Sequence, residues 1–109
     1  MGAPDQLQIE VRNEPERVIV HLDGELDMAS APLLRTALEQ VPPDAPAMIV
    51  LDLERLRFID STGLRVILWA REHYLGRGQE LAVTPGSPQV QRLLAVSGAG
   101  EHLRLTSTG

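Results

Sequence analysis

Residues 47–53 read Ala47-Met48-Ile49-Val50-Leu51-Asp52-Leu53, and residues 58–64 read Phe58-Ile59-Asp60-Ser61-Thr62-Gly63-Leu64. The first run is nearly all apolar and of strand length, the pattern of a strand covered on both faces. The second passes from apolar residues into Asp-Ser-Thr-Gly, the start signal of a helix. A buried strand followed by a capped helix places the chain in the α/β class.

Upstream, residues 7–12 and 17–23 alternate apolar and polar around a turn at Asn13-Glu14-Pro15-Glu16, which predicts a β-hairpin. Gly24 is expected to break the second strand. A first helix is expected from Ser30, with Ser30 as its cap and Pro32 in its first turn. Leu33, Leu34, Ala37, Leu38 and Val41 follow at helical spacing until Pro42-Pro43 stops them. Downstream, the second helix should run from Asp60-Ser61 to Gly76–Gly78, and residues 80–84 should form a strand. Ser87-Pro88 opens a third helix that carries Val90, Leu93, Leu94 and Val96 and stops at Gly98. Residues 102–106 suggest a last strand. This order predicts one mixed sheet with helical cover and no internal repeat or linker.

Composition narrows the function. A chain of 109 residues with 43% hydrophobic content fits a single domain with its own core. Cysteine is absent, which excludes disulfides and thiolate metal sites and fits a reducing compartment. No apolar run approaches transmembrane length, and the first residues carry neither a signal-peptide nor a myristoylation pattern. The formal charge is −5, and all ten basic residues are arginines scattered along the chain. Nucleic acid is therefore a poor partner, whereas an acidic surface suits a basic protein.

Asp60 or Ser61 can satisfy the orphan amides of the second helix, so plain capping accounts for the local pattern. Position adds a functional reading. A hydroxyl at a helix N-terminus and loop tip is open to a kinase, and a phosphate there gains from the helix dipole. Its added charge, about −1.5 to −2, would fall beside Asp60 and on whatever surface docks there.

Over residues 7–106 the chain resembles the STAS domain in its stand-alone form, the anti-sigma factor antagonist. The likeness rests on the hairpin, Gly24-Glu25-Leu26-Asp27, Val50-Leu51-Asp52-Leu53, Ile59-Asp60-Ser61-Thr62-Gly63-Leu64 and Val90-Gln91-Arg92-Leu93-Leu94 before Ser97-Gly98. The resemblance implies a single STAS-like α/β domain with a mixed four- to five-stranded sheet and helices mainly on one side. Residues 1–6 would be a flexible N-terminus and 107–109 a tail. It implies phosphorylation at Ser61 by an ATP-dependent serine kinase that doubles as the anti-sigma factor, and reversal by a serine phosphatase. It also implies partner-binding or switch roles for Asp27, Met28, Ser30, Asp60, Thr62, Gly63 and Leu64. The expected protein is cytoplasmic, monomeric and non-enzymatic, with no cofactor and no metal. One rival is a STAS module of a transport or signalling assembly working without phosphorylation. The other is a small nucleotide-binding protein or enzyme.

Other constellations are weak. His73 lies twelve residues along the helix from Ser61, roughly 18 Å away, beyond any hydrogen bond. His21 and Asp23 share a strand face, but two ligands do not make a metal site. His102 could approach Ser61 only through the tertiary fold. Gly76-Arg77-Gly78 and Gly98-Ala99-Gly100 read as helix stops. Leu64, Ile67, Leu68, Trp69, Tyr74 and Leu75 are expected to face the core, with partial exposure as the alternative for Val66 and Trp69.

Overall fold

The computed structural model describes residues 6–98 and 103–106. Its elements are β1 (Leu7–Asn13), β2 (Arg17–Leu26), α1 (Ala31–Glu39), β3 (Met48–Ile59), α2 (Ser61–Leu75), β4 (Glu80–Val83), α3 (Pro88–Ser97) and β5 (Arg104–Leu105). The strands form one sheet in the order β1-β2-β3-β4-β5. The β1–β2 hairpin is antiparallel and the other neighbours are parallel. Parallel neighbours need a crossover, and each helix supplies one.

The pleat sorts the side chains. Val18, Val20 and Leu22 of β2 join Ile49, Leu51 and Leu53 of β3 in one core cluster. Leu34 and Leu38 of α1, Ile67, Ala70 and Tyr74 of α2, and Val90 and Leu94 of α3 close over it. All three helices therefore pack on the same face of the sheet. Tyr74 ties two of them together, its hydroxyl donating to the Leu38 carbonyl at 2.7 Å. The alternate residues Ile19, Val50 and Ala82 align across β2, β3 and β4 and are also buried.

Several expectations need correction. Gly24 does not break β2, which runs to Leu26. It sits within the strand at φ +126°, where a Cβ would lie 2.1 Å from the Gln6 carbonyl oxygen. Only glycine tolerates both that conformation and that approach, and the β2–β3 register shifts beside it. β3 continues to Ile59, well past Leu53. Its charged residues Glu54, Arg55 and Arg57 hid that continuation, because they project from a part of the strand that β4 does not border. Ser30 does not cap α1 with its side chain. Leu75 is exposed, because it stands about 100° around the helix from buried Tyr74. β4 ends at Val83, although the Thr84 amide still donates to the Leu51 carbonyl. Residues 1–5, Ala99, Gly100, His102 and 107–109 lie outside the described residues.

Candidate functional site

β2 and β3 finish side by side, with Leu26 paired to Ile59. Asp27 and Asp60, the next residue on each strand, are thereby brought together at the carboxyl edge of the sheet. Open α/β folds place their working sites at that edge. The Asp60 amide donates to the Leu26 carbonyl at 3.1 Å and extends the pairing by one more bond.

Asp60 is the N-cap of α2. Its backbone is extended, and its Oδ1 accepts from the Gly63 amide at 2.9 Å. Its carbonyl accepts from the Leu64 amide at 3.0 Å. The second carboxylate oxygen, Oδ2, accepts from the Met28 amide at 3.2 Å. One side chain thus holds both the α2 start and the β2–α1 connection. Gly63 makes the approach possible, since a Cβ there would lie 2.6 Å from Leu26 Cγ and 2.9 Å from its carbonyl oxygen.

Asp27 orders the facing loop. Its Oδ1 accepts from the amides of Ala29 at 2.9 Å and Ser30 at 3.2 Å, and its Oδ2 accepts from Gln6 Nε2. Burial opposes its charge, but the hydrogen bonds from Ser30, Ala29 and Gln6 outweigh that and hold its carboxyl below the usual range. The Ser30 hydroxyl turns inward instead of capping: it donates to the Glu25 carbonyl at 2.8 Å and accepts from the Asp27 amide at 3.0 Å. The Asp27 carboxylate thus orders the loop ahead of α1, and among the described residues no side chain caps the helix itself.

Ser61 opens α2 and is exposed. Among the described residues its hydroxyl has no hydrogen-bond partner, and neither its amide nor that of Thr62 has an acceptor. Thr62 is half-buried, while Gly63 and Leu64 are buried and seat the helix against the sheet. Beside Asp60, Met28 is 73% exposed, and on α1 Leu33 is 53% exposed. The edge thus presents a free hydroxyl, unused amides and apolar side chains.

The other polar candidates are engaged elsewhere. His73 stacks on Trp69 with ring centroids 4.8 Å apart, and its Nε2 lies 3.0 Å from an Arg77 guanidinium nitrogen. Trp69 is half-buried, with the Arg35 guanidinium 4.2 Å from its ring centroid. His21 pairs with Asp52 rather than Asp23, Nδ1 to Oδ2 at 2.6 Å. Asp52 Oδ1 accepts from the Thr84 hydroxyl at 3.2 Å and the Glu54 amide at 3.0 Å, a buried polar group that sequence reading missed. Its signal was present as one acid inside an apolar strand. Asp23 instead faces Arg57 at 3.3 Å. Among the described residues no three His, Cys, Asp or Glu side chains are grouped to hold a metal.

The family model for the Mlab, STAS domain matches residues 9–106. The chain belongs to the STAS family. This STAS chain is 39% identical over 93 residues to an anti-sigma F factor antagonist of Paenibacillus polymyxa, covering 84% of this chain and 80% of that one. It superposes with a TM-score of 0.85 on the crystal structure of an anti-sigma factor antagonist from Mycobacterium paratuberculosis. That pair is 29% identical, covering 99% and 92% of the two chains. The anti-sigma factor antagonist SpoIIAA, solved in its unphosphorylated form, superposes with a TM-score of 0.72 at 27% identity, covering 94% and 89%. No helix among the described residues of this STAS chain is long and apolar enough to cross a membrane.

Proposed function

We propose that this STAS protein is a cytoplasmic, non-enzymatic anti-sigma factor antagonist controlled by phosphorylation at Ser61. The unphosphorylated chain binds an anti-sigma factor serine kinase and frees the sigma factor. The kinase transfers the ATP γ-phosphoryl group to Ser61 Oγ, the hydroxyl proton is lost and ADP leaves. Binding then ends until a serine phosphatase removes the phosphate.

The observation that carries this reading is the place of Ser61. Its hydroxyl is exposed at the α2 start and has no partner among the described residues, while Asp60 already caps the helix. Capping therefore leaves the serine without a structural task. The antagonist relatives and the unphosphorylated form of SpoIIAA support the same role. A phosphate adds about −1.5 to −2 charges next to Asp60, at the edge where Met28 is exposed. A docking penalty of about 3 kcal/mol there weakens binding more than a hundredfold, enough for a switch.

Incubation with the cognate kinase and ATP, followed by mass mapping, should place the phosphate on Ser61 and find none in Ser61→Ala. Equal labelling of that variant would move the acceptor to Thr62 or elsewhere and overturn the assignment.

A further inference from the structure

One charge beside Ser61 has no task in the unmodified site. Arg65 lies four residues after Ser61 on α2 and is exposed. Among the described residues only Arg65 and Arg92 of the arginines have no acid, ring or other polar partner. Arg65 is also the only charged residue between Ser61 and Leu68, the first two turns of the helix.

Residues four apart on a helix are surface neighbours, with Cβ atoms about 5–6 Å apart. An acid N-terminal to a base at this spacing is the favourable order, because it also matches the helix dipole. A neutral serine offers Arg65 nothing to pair with. A phosphate on that serine makes the same two positions an acid–base pair in the favourable order. Guanidinium and phosphate then meet through charge-assisted hydrogen bonds, which are short and can be bidentate.

We infer that Arg65 closes on the phosphate of Ser61 and holds it against α2. This rests on Ser61 being the acceptor, and it assigns Arg65 as the positioning residue of the switch. One modification thereby does two things to a docking partner: it adds an anion at the sheet edge and withdraws the one cation of the first two turns.

The test uses the full chain with phosphoserine placed at position 61 during translation, so it needs no kinase. Phosphorus NMR follows the second phosphate ionisation, ordinarily near pH 6. In Arg65→Gln that ionisation should move up by about 0.2–0.4 pH unit, the scale of an ion pair between residues four apart on a helix surface. Arg65→Lys should restore most of the shift, and Arg92→Gln should leave it at the wild-type value. An ionisation unchanged in Arg65→Gln overturns the inference. Absence of kinase labelling at Ser61 would overturn the functional reading instead, so the two failures are told apart.

Discussion

The Asp60 carboxylate reaches the Met28 amide at 3.2 Å while its other oxygen caps α2 through Gly63. Two connections separated in sequence by α1 and β3 are thus held by one side chain. Asp60 sets the shape of the edge that carries Ser61.

Removing that carboxylate should affect both loops. Asp60→Ala loses the cap and leaves the Met28 amide without its partner, so a stability loss of about 1–2 kcal/mol is expected in urea unfolding. Asp60→Asn keeps an acceptor oxygen and should lose less. Amide hydrogen exchange at Met28 should accelerate in Asp60→Ala. Unchanged protection there would show that the contact carries no weight.

Gly63 offers a sharper steric test. Gly63→Ala drives a methyl group into Leu26, and overpacking of this kind costs about 1–3 kcal/mol. Gly76→Ala is the control, because its nearest neighbours would be 3.6 Å from the new methyl. That variant should match wild type or be slightly more stable. Equal stabilities for the two variants would remove the close α2–β2 approach from the account.

These two residues also show what can be read from a sequence. Asp60 and Gly63 are local signals: a cap accepts from an amide three residues on, so its spacing is written in the chain. The Asp60–Met28 bond spans 32 residues and depends on β2 and β3 ending in register. Gly24 looked like a strand break because local pattern does not reveal that the Gln6 carbonyl lies against it. Ser30 sits at a capping position, yet its hydroxyl bonds the Glu25 carbonyl five residues back, a partner the capping pattern does not reveal. The hairpin, the buried β3 run and all three helices were legible because hydrophobic period and punctuation are local. Cross-strand partners such as His21–Asp52 were not.

Tyr74 supplies a prediction at high pH. Burial pushes its phenol up to about 12, against a coulombic pull downward from Arg77. A raised folded-state value favours the protonated form, so its stabilising effect is complete below pH 10 and is lost as pH rises towards 12. The chain has no lysine, no cysteine and one tyrosine, so no other side-chain type titrates in that window. Wild type should lose about 2 kcal/mol of stability between pH 10 and 12. Tyr74→Phe should be less stable at pH 7 by about 1 kcal/mol, for want of the bond to Leu38, and should show a flatter alkaline profile. Parallel profiles would contradict the assignment.

Met28 tests the docking edge without touching the fold. Its side chain is exposed, so Met28→Ala should unfold within about 0.5 kcal/mol of wild type. Its affinity for the anti-sigma factor kinase should nevertheless fall about tenfold if the thioether fills a partner pocket. Retained affinity would place the partner on another face.

The most direct test is calorimetric titration of the anti-sigma factor kinase with the unphosphorylated chain and with the Ser61 phosphoprotein, at two salt concentrations. The unphosphorylated chain should bind, and the phosphoprotein should bind at least a hundredfold more weakly. Part of that loss should be recovered at high salt, where exposed charges are screened over about 3 Å at 1 M instead of about 10 Å at 0.1 M. Equal affinity of the two forms would contradict the account, and Ser61 would remain only the first residue of a helix.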